Sequence, residues 1–480
     1  MSGPDAGEAT PDTSRGPTPR APTLGEALLP LGAAALLLAL GYAWQGWRIE
    51  VMLLAAAGVA GAVGWRLGHD WSSMEKGVIE ALSTALPAVF ILITVGALIG
   101  SWIAAGTIPL LVSWGLDLMS PRFFLVTTCV ICSLVSVFTG TSWGTAGTVG
   151  VALMGVAAGL GVSPGAAAGA VVSGAYFGDK LSPFSDTTNL APVVARSNLF
   201  DHIRWLLWTT APAWTLGLGV YLLVGLGEPG GASSDVATIQ AALAGAFRFH
   251  WLLLAPPLVM LGFAVRGAPI LPGMLLSTLT AVVLAVWLQG DGVAEVLEAT
   301  VSGYVPATGV ESVDGLLARG GMLSMMDLVL LILCAFGFAG ILRRCGMLDR
   351  ILEAVLGVVR GTFGLVAGTA AAGVLTAVVT GSSYLSIIVP GELFQDAFRR
   401  ADLAAKNLSR TLEDSGTVVV PLVPWSAAGT FMAGTLGVPT VSYLPWAVMN
   451  WTGVLVALTL AATGVGIAPR VREDETRPGS

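Results

Sequence analysis

The sequence predicts an all-α polytopic membrane protein made of two inverted-topology repeats, with discontinuous helices and room for re-entrant hairpins. Three observations carry this. Charged residues are 11% and hydrophobic residues 55% of the 480, against about 25% charge in an ordinary soluble chain, so a water-facing surface cannot be assembled. Apolar runs of about 17–25 residues, the length a helix needs to cross a bilayer, recur between residues 27 and 464. Pieces of the first half also recur, weakly, in the second. Disorder, a collagen-like chain and a disulfide scaffold are excluded; channels, transporters and membrane enzymes remain open.

Residues 1–26 are rich in Pro, Thr and Gly and read as a disordered cytoplasmic tail. They are not a signal peptide, because no short apolar region with a cleavage site follows. The first transmembrane repeat is expected over 27–225, with apolar segments at 27–44, 49–66, 85–105, 121–140, 142–160, 165–195 and 202–225. An extracytoplasmic connector takes 226–248. The second repeat follows over 249–464, with segments at 249–265, 270–289, 323–342, 361–380, 383–398, 414–436 and 442–464, then a cytoplasmic tail over 465–480. If each segment crosses, both termini share one side. With that side inside, inner loops and tails hold 18 of the 23 Lys and Arg, and outer loops only Arg48, Arg122, Arg248 and Arg319. This asymmetry follows the positive-inside rule and supports a multi-pass protein of the cytoplasmic membrane with both termini cytoplasmic. The net charge of −7 decides little beside it.

Cys129, Cys132 and Cys334 lie in apolar segments and read as small packing residues. His69, His202 and His250 fall near expected helix ends and read as interfacial. No haem, zinc or iron–sulfur pattern is present, so no cofactor is expected. The 15 Trp, among them Trp44, Trp47, Trp65 and Trp71, read mostly as interfacial anchors. Gly and Ala from Gly165 to Gly174 suit close helix packing.

The repeat rests on two pairs of motifs. "ALIGSWIAAGTIP" (97–109) resembles "GFAGILRRCGML" (337–348), placing Gly100 on Gly340 and Gly106 on Gly346. "TGTSWGT" (139–145) resembles "TGSSYLS" (380–386). Gly106 to Thr139 is 33 residues and Gly346 to Thr380 is 34. With seven segments per half, the copies are inverted. Inverted repeats recur in secondary transporters, where exchange of conformation between halves gives alternating access; a pore needs no such exchange.

Two stretches break the apolar pattern. "SGAYFGDKLSPFSDTTNLAP" (173–192) carries Asp179, Lys180, Ser182, Ser185, Asp186, Thr187, Thr188 and Asn189, with Gly178, Pro183 and Pro192 expected to interrupt its helix. "LSRTLEDSGTVVVPLVPW" (408–425) carries Glu413, Asp414, Ser415, Gly416 and Thr417, then Pro421 and Pro424. A charged side chain at mid-bilayer costs about 2.5–3.5 kcal/mol on insertion scales, and irregular backbone survives there only in protein or beside water. Freed carbonyls, hydroxyls and a carboxylate together form an all-oxygen cage suited to a hard cation. Na⁺ is therefore expected at Asp186, Thr187 and Asn189, with Asp179, Ser182, Thr188, Glu413, Asp414, Ser415 and Thr417 as further ion-binding candidates. Lys180 is expected to balance charge. Surface loops with solvated acids, or a Lys180–Asp179 pair, are the plain structural reading of the same residues. Ser142 and Ser383, at the Thr-Gly-Thr-Ser and Thr-Gly-Ser-Ser breaks, are expected to face the cavity; the plain reading is a hydroxyl-stabilised kink.

At these residues the sequence resembles the NhaC-type sodium/proton antiporters of the wider ion-transporter superfamily. The matching pieces are "GALIGSWIAAGTIP", "GAYFGDKLSPFSDTTNLAP", "LLARGGMLSMM" (316–326) and "KNLSRTLEDSGTVVVPLVPW" (406–425), over roughly residues 70–465. The resemblance implies exchange of Na⁺ for H⁺, in some members malate/lactate exchange coupled to cations, and Asp179, Asp186, Glu413 and Asp414 as site acids.

The expected function is secondary antiport of Na⁺, with Li⁺ as a second candidate ion, against H⁺ by competition at a shared carboxylate, Asp186 or Asp179 first. An acid out of water holds its proton more firmly, so ion and proton exclude one another. Expected partners are the lipid bilayer, Na⁺, H⁺, a small carboxylate and a second copy of the chain, with no nucleic acid. The alternative is a cation-coupled organic-anion exchanger. An intramembrane hydrolase is disfavoured: no Gly-x-Ser-x-Gly or His-Glu-x-x-His pattern appears.

Overall fold

Alternation of long apolar runs with short Gly- and Pro-marked breaks makes a chain of helices, and the computed structural model shows these over residues 19–227 and 233–469. The parts of the expected tails and connector at 1–18, 228–232 and 470–480 lie outside the described residues. In chain order the helices are α1 (Leu24–Leu37), α2 (Ile49–Arg66), α3 (Trp71–Ala105), α4 (Thr107–Leu118), α5 (Pro121–Thr139), α6 (Ser142–Thr145), α7 (Val151–Gly159), α8 (Pro164–Leu181), α9 (Asp186–Ala195), α10 (Leu199–Gly227), α11 (Ser233–Ala246) and α12 (Ala255–Val265). There follow α13 (Ile270–Leu284), α14 (Val293–Ser302), α15 (Glu311–Leu317), α16 (Met326–Arg344), α17 (Met347–Val358), α18 (Gly361–Thr380), α19 (Ser383–Arg400), α20 (Ala405–Leu412), α21 (Ala427–Leu436), α22 (Thr440–Tyr443) and α23 (Val448–Thr463).

Eight described helices are long and apolar enough to cross a membrane, or up to eleven if each of three bent pairs is one span. The chain is a multi-pass, all-α membrane protein. The fourteen expected segments were more numerous because polar breaks cut several of them. The run 165–195 is two helices, α8 and α9, separated at residues 182–185. The run 414–436 resolves into a π-helical turn at Glu413–Thr417, a short 3₁₀ turn at Val420–Leu422, and α21. Gly178 and Pro192, expected to interrupt, lie inside α8 and α9; only the stretch around Pro183 breaks. Gly178 serves packing instead, for a Cβ there would strike the Ser133 carbonyl of α5.

The chain divides into two units. The smaller holds described residues 19–82 with 337–351. Its first helix starts at Leu24, inside the expected tail. The cause is local: Thr23 and Glu26 form a capping box, and Arg20 pairs with Glu26 at 2.5 Å. Gly77 and Gly340 meet backbone to backbone, leaving no space for side chains.

The larger unit holds described residues 83–227, 233–336 and 352–469 and contains every candidate site residue. Small residues bring α8 against α5: a Cβ on Gly174 would collide with the Cys129 carbonyl. Cys129 and Cys132 are buried and unbridged, as packing residues. Trp44, Trp47, Trp65 and Trp71 are 57–78% exposed, suiting anchors at a lipid boundary.

The two repeat motifs carry matching backbone punctuation. Gly106 and Gly346 both take positive φ, at 87° and 68°, before the twelve-residue helices α4 and α17. Gly140 and Gly381 take positive φ, at 67° and 64°, ending α5 and α18. Thr141 and Ser382 then cap the next helices with their hydroxyls.

Candidate functional site

Both polar stretches fold as interrupted helices because their backbones are re-satisfied by neighbouring side chains. In the first, Ser185 caps α9, accepting from the Thr188 N–H. Asn189 Nδ2 donates to the Pro183 and Ser185 carbonyls at 2.8 and 2.6 Å. Thr188 Oγ1 donates to the Asp179 and Lys180 carbonyls at 3.2 and 3.3 Å. In the second, Ser426 donates to the Val420 and Val423 carbonyls, Tyr443 to Pro421, and Asn450 to Val418. These carbonyls thus have donors already, while several carboxylate oxygens nearby do not.

Those carboxylates meet in the protein interior. Asp179 and Lys180, at the end of α8, are buried, as are Glu413 and Asp414 on the π-helical turn. Such a turn widens the helix and re-aims successive side chains. Lys180 Nζ pairs with Asp414 Oδ1, each side chain 1% exposed, and not with Asp179. Thr209 of α10 donates to the same oxygen at 2.9 Å. Ser142 Oγ donates to Asp179 Oδ2 at 2.8 Å, and Thr187 Oγ1 to Glu413 Oε1 at 3.2 Å. Asp179 Oδ1, Glu413 Oε2, Asp414 Oδ2 and Thr417 Oγ1 are buried with no hydrogen bond. Ser185 stands beside Asp179 and Thr417 beside Glu413, and Asp179, Glu413 and Lys180 lie within electrostatic reach of one another.

The other expected residues take separate places. Asp186 is exposed but within electrostatic reach of Asp179; it receives the Tyr384 hydroxyl and its neighbour's Thr187 N–H, and lines a cavity of about 330 Å³ with Thr141, Gly144 and Phe184. Ser182 is buried in the α8–α9 break and accepts from Phe184 N–H at 3.3 Å. Ser415 turns back to the Thr411 carbonyl at 2.6 Å. Ser383 opens α19, half-buried. Asn189 spends its amide on the break rather than reaching the buried acids.

Several residues around the cluster were not anticipated. His202, expected at an interface, is fully buried; its Nδ1 shares a hydrogen bond with Ser409 Oγ at 2.9 Å, and it lies within electrostatic reach of Lys180. Its amphipathic flank, near a helix start, resembled a boundary, whereas α20 covers it. Arg410 is also fully buried, donating to the Gly466 carbonyl at 2.7 Å. Thr209 carried no pattern that marked it, and Tyr384 lay in the repeat motif at 380–386 without being singled out. Among the described residues no three His, Cys, Asp or Glu side chains converge as a metal shell.

A family model, the Na⁺/H⁺ antiporter family, matches residues 20–188 and 174–465. The sequence is 43% identical to an uncharacterised Na⁺/H⁺ antiporter of Haemophilus influenzae, over 94% of this chain and 98% of the relative. It is 38% identical to the Na⁺/H⁺ antiporter NhaC of Alkalihalophilus pseudofirmus, over 93% and 96%. It is 35% identical to the malate-2H⁺/Na⁺-lactate antiporter of Bacillus subtilis, again over 93% and 96%.

Proposed function

Because the chain belongs to the Na⁺/H⁺ antiporter family, we propose that it exchanges Na⁺ for H⁺ across the cell membrane, with both termini cytoplasmic, at Asp179 and Glu413. The observation that carries this reading is that Asp179, Glu413 and Asp414 each bury one unpartnered oxygen while only Asp414 is ion-paired, to Lys180. Two uncompensated carboxylates cannot stay ionised in a dry interior. They hold protons, or they hold a cation. Na⁺ entering between them, with Thr187, Thr417 and Ser142 hydroxyls at hand, displaces protons; protons arriving from the other side displace Na⁺. Asp186, beside its cavity, attracts cations toward the cluster. Lys180 engages Asp414 and so leaves Asp179 and Glu413 as the acids open to the ion. Alternating exposure comes from the two repeats changing places.

The test is proton flux in proteoliposomes, read with a trapped pH dye, after Na⁺, Li⁺ and K⁺ are added separately. Flux with Na⁺, smaller or equal flux with Li⁺ and none with K⁺ is expected. Absence of cation-driven flux would defeat the reading. The second reading, cation-coupled exchange of an organic anion, is favoured by the Bacillus subtilis relative named for malate and lactate. Labelled malate or lactate uptake that requires Na⁺ would favour it over simple ion exchange.

A further inference from the structure

The motif "LLARGGMLSMM" (316–326) contributes nothing to the acid cluster. Its conformation is nonetheless closely determined. Gly320 and Gly321 take φ of 82° and 86°, and a Cβ on either would collide with backbone, of Gly100 and of Gly303 respectively. The Gly321 N–H donates to the Gly96 carbonyl at 2.7 Å. The backbone before them is therefore wedged against α3, and it presents Arg319 to a cavity of about 750 Å³.

That cavity is walled mainly by apolar side chains, including Ile99, Ile103, Ile108, Met154 and Leu328, with Tyr304 at one side. Arg319 is exposed, and among the described residues its guanidinium has no hydrogen bond or ion pair. It adjoins Gly437, the end cap of α21 at φ 68°, where a Cβ would stand 3.2 Å from Nη1. The negative helix end steadies the cation without satisfying its forked donors. A free guanidinium facing an apolar chamber matches a carboxylate in two-pronged fashion, and the walls match a hydrocarbon body. A second cavity, of about 610 Å³, shares Gly303, Tyr304 and Val305 with the first and is lined by Asp291, Glu295 and Glu298. Those acids weigh against a second negative charge on the ligand.

We propose that Arg319 and the cavity around it form a binding site for an apolar monocarboxylate, separate from the buried acid cluster. The proposal stands whether the cluster exchanges Na⁺ for H⁺ alone or not.

The experiment is calorimetry on the full chain in nanodiscs of phosphatidylcholine, titrated with acetate, butyrate, hexanoate, malate, hexanol and inorganic phosphate. Hexanoate should bind saturably and outdo acetate, by up to about fourfold per added methylene. Malate, phosphate and hexanol should bind weakly or not at all. Arg319→Gln should weaken hexanoate by about tenfold to a hundredfold, Arg319→Lys by less, and both should keep wild-type cation-driven flux. Equal binding of hexanol and hexanoate, preference for malate or phosphate, or hexanoate affinity unchanged in Arg319→Gln would each overturn the proposal. So would an Arg319→Gln that loses only thermal stability, with no saturable hexanoate binding by the parent, which would leave the residue as a helix-end cap. If Arg319→Gln fails to fold, Val305→Trp narrows the cavity from a position 87% exposed. It should abolish hexanoate binding; retained affinity would overturn the proposal. Displacement of hexanoate by phosphatidylglycerol in the nanodisc would assign the site to a lipid headgroup instead and also defeat it.

Discussion

Lys180 and Asp414 are each 1% exposed at the side chain, and a buried ion pair is far costlier to break than to lack. Removing one partner strands a charge, at about 3–5 kcal/mol, whereas replacing both by apolar groups is often neutral. Lys180→Met should therefore lower thermal stability by that order, and Lys180→Met with Asp414→Leu should recover most of it without recovering flux. A melting series in detergent distinguishes the two. At the acids themselves, Asp179→Asn and Glu413→Gln should abolish Na⁺-driven proton flux while the protein still inserts. Asp186→Asn should act differently: it stands exposed at its cavity, so a raised Na⁺ concentration for half-maximal flux is expected, with the maximal rate less affected. Near-normal flux in Asp179→Asn would move the exchange elsewhere, and an inactive Asp186→Asn would return it to the first-named candidate. The acids could be named from sequence because charge in an apolar run is rare. Which oxygens stay free could not, since Asn189, Thr188, Ser426 and Tyr443 take up the broken backbone from positions 6 to 22 residues away.

Each interrupted helix depends on a device that ends one piece and starts the next. Ser426 both caps α21, accepting from Gly429 N–H at 2.8 Å, and donates to the carbonyls of the preceding 3₁₀ turn. Ser426→Ala leaves buried acceptors and a helix start unsatisfied, so a loss of about 1–3 kcal/mol is expected, read as a lower unfolding temperature. Recovery in Ser426→Thr would assign the loss to the hydroxyl. Trp143, just past the Thr-Gly-Thr-Ser break, stacks on Phe431 of α21 at 4.3 Å between ring centroids. That break is thereby tied to α21 through packing, a contact between residues 288 apart that periodicity along the chain does not encode. Element lengths followed the same division: α5 and α18 lie where apolar length placed them, while α3 begins at Trp71, well before its apolar run, because a helix continues past the lipid boundary wherever polar residues still suit it.

At the scale of the whole chain, the matched punctuation at Gly106 and Gly346, and at Gly140 and Gly381, is what two copies of one backbone plan would carry. If the copies are inverted, Ser142 and Ser383 occupy equivalent places reached from opposite faces. Single cysteines at these positions, in a chain whose own four are replaced, should react with a membrane-impermeant thiol reagent from opposite sides, with labelling at one falling as labelling at the other rises when Na⁺ is supplied. Labelling of both from one side would count against inversion.

Composition and the length of the apolar runs determined on their own that this chain is a multi-pass helical membrane protein, because the bilayer imposes that length on any crossing helix. The motifs determined its family and the acids to watch. Tertiary structure decided that Lys180 is spent on Asp414, that His202 and Arg410 are buried, and that Asp179 and Glu413 keep unpartnered oxygens. The reason is physical: partners more than 200 residues apart, such as Lys180 with Asp414 and Thr187 with Glu413, are set by how helices pack, and packing leaves no local mark in the sequence.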